Sequence, residues 1–374
     1  MERIKKLLNF TIYDKYIFNQ LLVTTCVAIL LFTIVWIAPE ILLNTIKRTI
    51  AGMYTPQKAV LVLLLEIPKI LGKALPVGLL LGTLFTFDKL SKDSELTIFR
   101  AIGLSFKRIL YPVITLSIIG TILCFITYDK LIPLAEHTEK NLDNFVPFAQ
   151  YIYTQKDKNN VPQKSIIVSK YWGGELTKVI VLDFSKQLYQ DLHGLSNIYI
   201  AKTGKVMDGY WELYDVTDYK VSDDGIYTDV STLDKMKILE GKEAKDAETL
   251  IVNSTKRDRE FTNGELHSYI KLLKREELDE EYRFMLNKYF QRFFHPFVCV
   301  LLAIMGALLG FSKPREQRLI GFTIAIACIF AYYITLPFFD LLAEKGVLHP
   351  LLTAGIPPIA FMCAIWQFYK SKDL

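Results

Sequence analysis

Six basic side chains lie near the ends of apolar stretches, where they could bind phosphate groups or other anions. They form three pairs: Lys47 and Arg48, Lys69 and Lys73, and Lys288 and Arg292. The members of the second and third pairs are four residues apart, so each of these pairs can share one helix face. Basic residues on the outer side of a membrane protein are typical of sites for anionic lipid headgroups. The alternative is structural: Glu66 and Lys69 form a local ion pair, and the other side chains extend to the interface.

The charged loop 88–108 could dock onto a cytoplasmic partner. Ser94 can cap a short helix there, and Gly103 is placed to end it in the left-handed conformation. Leu96 and Phe99, at spacing i, i+3, share one face and would form an apolar knob between charges. A two-turn helix is not stable alone, so something must hold it. The spacing leaves two interpretations open: a coupling helix that enters a groove on a partner, or a connector lying against the bilayer surface.

The sequence contains no familiar catalytic motif. We find no G-x-x-x-x-G-K-[ST], no H-E-x-x-H and no G-x-S-x-G. The five cysteines all lie in apolar segments, and their spacing fits neither a disulfide framework nor a zinc site. We therefore predict that the chain is not an enzyme and that it holds no metal or cofactor of its own.

The composition indicates a membrane protein. The chain has 374 residues, of which 51% are hydrophobic and 22% charged, and its mean hydropathy is +0.26. Six windows lack charge: Tyr16–Pro39, Ala74–Phe87, Ile109–Tyr128, Phe293–Ser312, Leu319–Phe339 and Pro350–Tyr369. Five of them are about 20 residues or longer, enough to cross ~30 Å of hydrocarbon, and the sixth becomes long enough when it is extended back to Pro68. We predict six transmembrane helices, which excludes a soluble enzyme, a secreted disulfide scaffold and a nucleic-acid-binding protein.

The charges predict the orientation. Of the Lys and Arg residues in short loops, fourteen fall on one side of the predicted spans and four on the other, so the positive-inside rule places both termini in the cytoplasm. Residues 134–286 then face outward. This insert carries a formal charge of −6, whereas the rest of the chain carries +11. We predict three parts: an N-terminal membrane half (1–133), an outer domain (134–286) and a C-terminal membrane half (287–374).

The outer insert has the pattern of a β domain. From Tyr151 it contains about eight short runs rich in β-branched and aromatic residues, separated by turn signals. Several alternate apolar and polar residues, which is typical of half-buried strands. We predict an antiparallel sandwich or jelly roll. Around 265–287 the period becomes helical, with Leu266, Ile270, Leu273 and Leu278 between charges, which predicts an amphipathic helix leading into the fourth span.

Two G-x-x-x-G motifs, Gly78/Gly82 and Gly306/Gly310, allow helices to approach closely. They fit either a seam between two copies or close packing within one chain.

The stretch Leu75–Ser105 resembles the LptF/LptG permeases of lipopolysaccharide export. Eight of its residues fit the family pattern: Pro76, Gly82, Leu90, Glu95, Leu96, Arg100, Ala101 and Gly103. The Gly-Tyr-Trp-Glu-Leu run at Gly209–Leu213 and the stretch His295–Gly310 support the resemblance, which runs nearly end to end.

The resemblance implies a six-span permease of the bacterial inner membrane, with a periplasmic β-jellyroll between spans three and four. It implies that the coupling helix, formed by Glu95, Leu96, Phe99, Arg100 and Gly103, meets a dimeric LptB-like ATPase, which would bind the ATP and Mg²⁺. A second permease chain, a paralogue or a second copy, would help enclose a cavity for lipopolysaccharide or a similar anionic glycolipid. Basic residues in the cavity would contact the lipid phosphates, and the lipid would pass to LptC- or LptA-like jellyroll proteins.

A rival hypothesis is a sensor or mechanotransmission protein, which couples an outer β domain to a cytoplasmic partner without moving lipid. A transporter requires an apolar groove open at one end of the β domain. A sensor requires a closed core and an exposed binding face.

Overall fold

The structure, a computed structural model, describes residues 11–37, 41–143, 151–156, 162–189, 192–222, 227–254, 256–311 and 319–371. It divides into two compact units, one formed by Met1–Leu142 with Asp258–Leu374 and the other by Asp143–Arg257. Several basic residues counted for the orientation lie outside the described residues: Arg3, Lys5, Lys6, Lys313, Arg315, Arg318 and Lys372.

Twelve α-helices are described, all but one of them in the first unit. They are α1 (Ile12–Ile37), α2 (Leu43–Ile50), α3 (Pro56–Lys92), α4 (Glu95–Ala101), α5 (Phe106–Ile109), α6 (Tyr111–Ile126), α7 (Ile132–Asp143), α8 (Lys242–Ser254), α9 (Asn263–Arg275), α10 (Asp279–Gly310), α11 (Leu319–Glu344) and α12 (Pro350–Ser371). A π-helical turn at Thr127–Leu131 joins α6 to α7. Helix α8 belongs to the second unit.

Five stretches among the described residues are long and apolar enough to cross a membrane. They are α1, the continuous stretch Tyr111–Leu142, α10, Ile320–Glu344 and Pro350–Lys370. The predicted second span lies within α3, a 37-residue helix that contains Pro68 and Pro76, and it is not one of the five. The count of six spans therefore stays a prediction.

Helix α3 is the centre of the first unit. It begins where Thr55 accepts a hydrogen bond from the Lys58 amide, with Pro56 in the first turn. It packs against α1 on one side and α10 on the other. A Cβ on Gly82 would lie 2.6 Å from Thr25 Cα in α1, so only glycine permits this approach.

Both G-x-x-x-G motifs are used for close packing within the chain. Gly78 and Gly82 face α1, whereas Gly306 and Gly310 face α3. A Cβ on Gly310, for example, would lie 2.5 Å from the Leu84 carbonyl oxygen. The helices of this one chain therefore occupy the surfaces that a seam between two copies would need.

The second unit contains eight described strands: β1 (Tyr151–Lys156), β2 (Pro162–Trp172), β3 (Glu175–Asp183), β4 (Lys186–Tyr189), β5 (Leu192–Gly194), β6 (Asn197–Met207), β7 (Tyr210–Val221) and β8 (Tyr227–Glu240). Six form one antiparallel sheet in the order β1-β2-β3-β6-β7-β8, and β4 pairs with β5 separately. The predicted runs lie in six of these strands, because two neighbouring runs form β7 and two form β8, whereas β4 and β5 were not predicted. The eight described strands form one large sheet and a small hairpin, and this arrangement is consistent with a jellyroll.

Helix α8 packs on the sheet and was missed from the sequence. Both edge strands, β1 and β8, contact it, so the sheet curves around the helix. The indole nitrogen of Trp211 donates to the Ala244 carbonyl at 3.2 Å. Tyr171 donates to Glu248 at 2.9 Å, and burial together with this carboxylate raises the pKa of Tyr171, so its hydroxyl stays a donor. The signal available in the sequence was the helical spacing of the buried residues Ala244, Ala247, Leu250 and Ile251.

The predicted amphipathic helix around 265–287 is split in two. A capping box at Thr262 and Glu265 starts α9, and Glu277, with φ +58°, separates it from α10. Leu266, Ile270 and Leu273 are buried, whereas Leu278 lies in the break and is exposed. Helix α9 belongs to the first unit, whose second segment begins at Asp258. The outer domain predicted for residues 134–286 includes this helix.

Candidate functional site

A cavity of about 370 Å³ lies in the first unit where α3, α10 and α11 approach one another. Its lining is basic and aromatic: Lys73, Tyr128, Ile132, Asp258, Arg259, Lys288, Gln291, Arg292, Phe294, His295, Tyr332, Tyr333, Leu336, Pro337, Asp340 and Ala354. Four cations face two carboxylates, which gives a formal charge of +2 when His295 is neutral.

Lys73 supplies unpaired positive charge to the cavity. It makes no ion pair with any residue that the structure describes. Its Nζ lies 5.2 Å from the centre of the Trp36 ring at the end of α1. The Tyr333 hydroxyl donates to the Lys73 carbonyl at 2.9 Å, which ties this turn of α3 to α11. A half-buried ammonium held over a ring and facing a cavity can receive an anionic oxygen.

Lys288 also lines the cavity, but it is paired. Its Nζ lies 2.5 Å from Asp340 Oδ2. Asn287 and Gln291 donate to the other carboxylate oxygen at 2.8 and 2.7 Å. The Asp340 carboxylate is therefore well satisfied, and the Lys288–Asp340 pair is formally neutral.

Arg292 is buried and holds main-chain groups. Its guanidinium donates to the carbonyls of Asp258 at 2.5 Å and Phe261 at 2.7 Å, and to Asn263 Oδ1 at 3.0 Å. These contacts fix the segment that enters α9 on the side of α10. The Asn263 amide in turn donates to Asp129 at 2.9 Å. Much of the donor capacity of Arg292 is used within the chain.

Lys69 lies among carboxylates and does not line the cavity. Glu66 Oε1 is 3.0 Å and Glu136 Oε1 3.5 Å from its Nζ, and Glu139 is also bonded to it. The predicted Glu66–Lys69 pair is therefore confirmed as a contact, as part of a larger cluster. Lys69 and Glu136 are both largely buried, so this cluster fastens α3 to α7.

Lys47 and Arg48 are exposed on α2 and do not line the cavity. Arg48 donates to the Tyr54 hydroxyl at 2.5 Å. Of the six candidates, the structure therefore brings together Lys73, Lys288 and Arg292.

Arg259 and the aromatic residues that line the cavity are not among the site residues predicted from the sequence. His295 Nδ1 lies 2.7 Å from the Tyr332 hydroxyl, and the Tyr128 ring meets His295 edge-on at 5.3 Å. These residues come from three separate apolar segments. The only sequence signal was a histidine inside a predicted span, which alone does not identify its neighbours.

The short helix predicted in the loop 88–108 is present as α4 at Glu95–Ala101. Gly103 has φ +87° and ends it in the left-handed conformation, as predicted. The predicted Ser94 cap is wrong: Ser94 itself has φ +61°, and its side chain makes no capping hydrogen bond. At that φ the backbone turns sharply out of α3, and the hydroxyl does not reach the α4 amides.

The apolar knob of α4 differs from the one predicted. Leu96 is buried in the core formed by α1, α3, α6 and α10, and Phe99 packs against that core. This burial stabilises a helix too short to persist alone. The exposed apolar side chains are Ile98 (57%) and Ile102 (69%). The Arg100 guanidinium lies 5.8 Å from the Phe311 ring.

Comparisons with known proteins assign this chain to a family. A search of the curated proteins finds none that matches this chain. Residues 15–371 match the family model described as lipopolysaccharide export system permease LptF/LptG. Because this match covers nearly the whole chain, the protein belongs to the LptF/LptG family of lipopolysaccharide export permeases.

Proposed function

We propose that this chain is a transmembrane permease subunit of an ATP-driven exporter, which extracts lipopolysaccharide or a similar anionic glycolipid from the inner membrane. In this proposal the chain has six spans with both termini in the cytoplasm. A second permease chain, a paralogue or another copy, completes the transport cavity. A separate LptB-like ATPase dimer binds the ATP and Mg²⁺, and LptC- or LptA-like jellyroll proteins receive the lipid.

The observation that carries the proposal is the charge of the cavity around Lys73. Lys288 is neutralised by Asp340, and Arg292 is engaged with main-chain oxygens. Lys73 and Arg259 line the same cavity without an ion pair to any described residue. A phosphate group would supply the missing negative charge, and the aromatic walls suit the apolar part of a lipid.

The exposed face of α4 supports the coupling role. Ile98 and Ile102 project from a helix whose opposite side, Leu96, is anchored in the core. An exposed apolar patch beside charges is typical of a protein contact. Because Leu96 anchors the helix in the core, a force that a partner applies to the exposed face would displace the packed helices and not the loop alone.

The β unit supports passage of an acyl chain. Its concave interior is apolar and includes the buried residues Ile166, Val181 and Leu213. Trp211 and α8 close one region of this interior. Leu233, which pairs with the buried Val216, is 40% exposed. An apolar interior that is closed in one region and accessible in another fits the groove required of a transporter better than the sealed core required of a sensor.

The test for lipid contact uses a photocrosslinker at Leu336 in the cavity wall. The complex is purified into vesicles that contain lipopolysaccharide. Lys73→Gln should lower the crosslinking yield about fivefold, because a basic residue near anionic lipid contributes about 1 kcal/mol. Lys47→Gln, which removes an exposed charge outside the cavity, is the matched control. An equal crosslinking yield from the native chain, Lys73→Gln and Lys47→Gln would assign Lys73 a structural role. It would also remove the main support for the proposal.

The test for coupling replaces the exposed apolar pair on α4. Ile98→Ser with Ile102→Ser should reduce co-purification of the ATPase while membrane insertion is kept. Ile50→Ser, at an exposed isoleucine of α2, is the control. Full co-purification of the α4 variant would contradict the coupling role. An ATPase that stays bound, with no lipid crosslinked at Leu336, would favour the sensor hypothesis.

A further inference from the structure

The start of α1 is bonded to Arg108 in α5. Asp14 is fully buried, and its Oδ2 lies 2.6 Å from Arg108 Nη2. The same oxygen accepts hydrogen bonds from the Thr11 amide and hydroxyl at 2.9 and 2.6 Å. This carboxylate therefore organises the first turn of α1 and holds a cation from a segment 94 residues away.

Arg108 is held on more than one side. Its guanidinium lies 5.2 Å from the centre of the Tyr13 ring and 4.9 Å from that of Tyr111. A cation between two rings and a buried carboxylate has little freedom to move, because each contact restricts a different direction. Arg108 thus joins α1 to the start of α6.

The same end of α1 also contacts the coupling helix. The Tyr16 hydroxyl donates to Glu95 Oε1 at 3.0 Å. The Tyr13 and Phe99 rings lie 6.3 Å apart. Helix α1 is therefore bonded to the first residue of α4 and packed against its middle, while Arg108 secures the far end of the same loop.

The opposite end of α1 lies beside Lys73, a residue that lines the cavity. Helix α1 has 26 residues, which corresponds to a rod of roughly 39 Å at 1.5 Å per residue. At one end are Asp14 and Tyr16, and near the other is Trp36, whose ring faces Lys73. A rigid rod of this length connects the coupling helix with the unpaired cation of the cavity.

We infer that Asp14, Tyr16 and Arg108 are positioning residues that fasten the start of α1 to the coupling helix, so that a displacement of α4 moves α1 and shifts Trp36 over Lys73. This inference rests on the proposed function, because the force on α4 is that of the partner ATPase. In this inference the three residues act through α1.

The first measurement is a distance between two spin labels. One is at Ile12, which is 92% exposed, and the other is at Thr97, an exposed residue of α4 that is not part of the proposed ATPase contact. The complex is studied with and without a non-hydrolysable ATP analogue. In the native chain the two labels should move together, so their separation stays constant between the two states. Tyr16→Phe, which keeps the ring and removes only the hydroxyl, and Arg108→Gln should each make the separation change with nucleotide. The inference would be overturned if the separation in the native chain changed with nucleotide as much as it does in the two variants.

The second measurement is lipopolysaccharide release from vesicles together with ATP hydrolysis. Arg108→Gln should keep ATPase binding and hydrolysis but slow release about tenfold, within the usual range of coupling energies between distant sites. Arg108→Lys retains the charge and should restore most of the release, which a merely structural loss would not predict. Lys107→Gln, at the exposed neighbouring position, is the control. Native release by both Arg108→Gln and Tyr16→Phe would refute the fastening role.

Failure of the proposed function gives a different result. If the native complex releases no lipopolysaccharide but the Ile12–Thr97 separation stays fixed only in the native chain, the proposed cargo is wrong and the fastening of α1 stands. If release is normal and the separation varies, the fastening is wrong and the proposed function stands.

Discussion

Replacement of Gly82 by alanine should force α1 away from α3. The new Cβ would lie 2.6 Å from Thr25 Cα and 2.8 Å from Thr25 N. Both are backbone atoms, so no side-chain rotation can relieve the clash. Overpacking of a core costs about 1–3 kcal/mol, and the backbone contact favours the upper end, about 3 kcal/mol.

Gly355 provides a matched control in α12. A Cβ there would have its nearest neighbour at 3.6 Å, the Phe294 ring, which is an ordinary contact. Both substitutions gain about 1 kcal/mol of helix propensity, so this gain cancels when the two variants are compared. The difference in the free energy of unfolding should therefore be about 3 kcal/mol, from overpacking alone.

The assay is thermal unfolding of the purified chain in mild detergent, followed by tryptophan fluorescence. A loss of 1 kcal/mol lowers the midpoint by about 1.3 °C, because the entropy of unfolding is about 2.1 cal/mol/K for each of the 374 residues. Gly82→Ala should then unfold about 4 °C below Gly355→Ala. Equal midpoints would refute the close α1–α3 approach, and with it the account of the first G-x-x-x-G motif.

Three further substitutions test the other packing arguments. Lys69→Met should destabilise the chain by about 3–5 kcal/mol in the same assay, because buried carboxylates lose their cation. Adding Glu136→Gln, which removes one of these carboxylates, should recover part of that loss. If stability does not recover, the ion pair between Lys69 and Glu136 does not stabilise the fold. Arg292→Met leaves the Asp258 and Phe261 carbonyls without their donor, and each unsatisfied carbonyl costs about 1–3 kcal/mol of stability. Hydrogen exchange at the α9 amides should therefore become faster, while exchange in α12 does not change. Trp211→Phe removes the bond to the Ala244 carbonyl, worth about 1 kcal/mol, and exchange should rise in α8; unchanged protection there would mean that α8 is held by other contacts.

Membership of the family makes the chain a multi-pass inner-membrane component of lipopolysaccharide transport, and not itself a catalytic enzyme. Two features of the described residues support the proposals made for this chain. They are the Lys73 ammonium, which has no ion pair with a described residue, and the contact between Asp14 and Arg108.

The candidate site was only partly predictable. Lys73 and Lys69 look alike in the sequence, since both are lysines of one helix near its outer end. Only folding brings Glu136 and Glu139 against Lys69, the latter from 70 residues away, and leaves Lys73 without a carboxylate. For the same reason Leu96 was expected to face a partner, whereas its burial became visible only with the packing of α1, α3 and α6.

The sequence by itself determined the features that depend on local physics. A run of apolar residues that must satisfy its own backbone hydrogen bonds becomes a spanning helix, alternating β-branched runs become strands, and a glycine at position 103 ends a helix. Tertiary structure decided which charges are neutralised, which glycines meet which helix and which face of α4 is exposed. Those outcomes depend on groups far apart in the chain, and no local pattern encodes the distance between them.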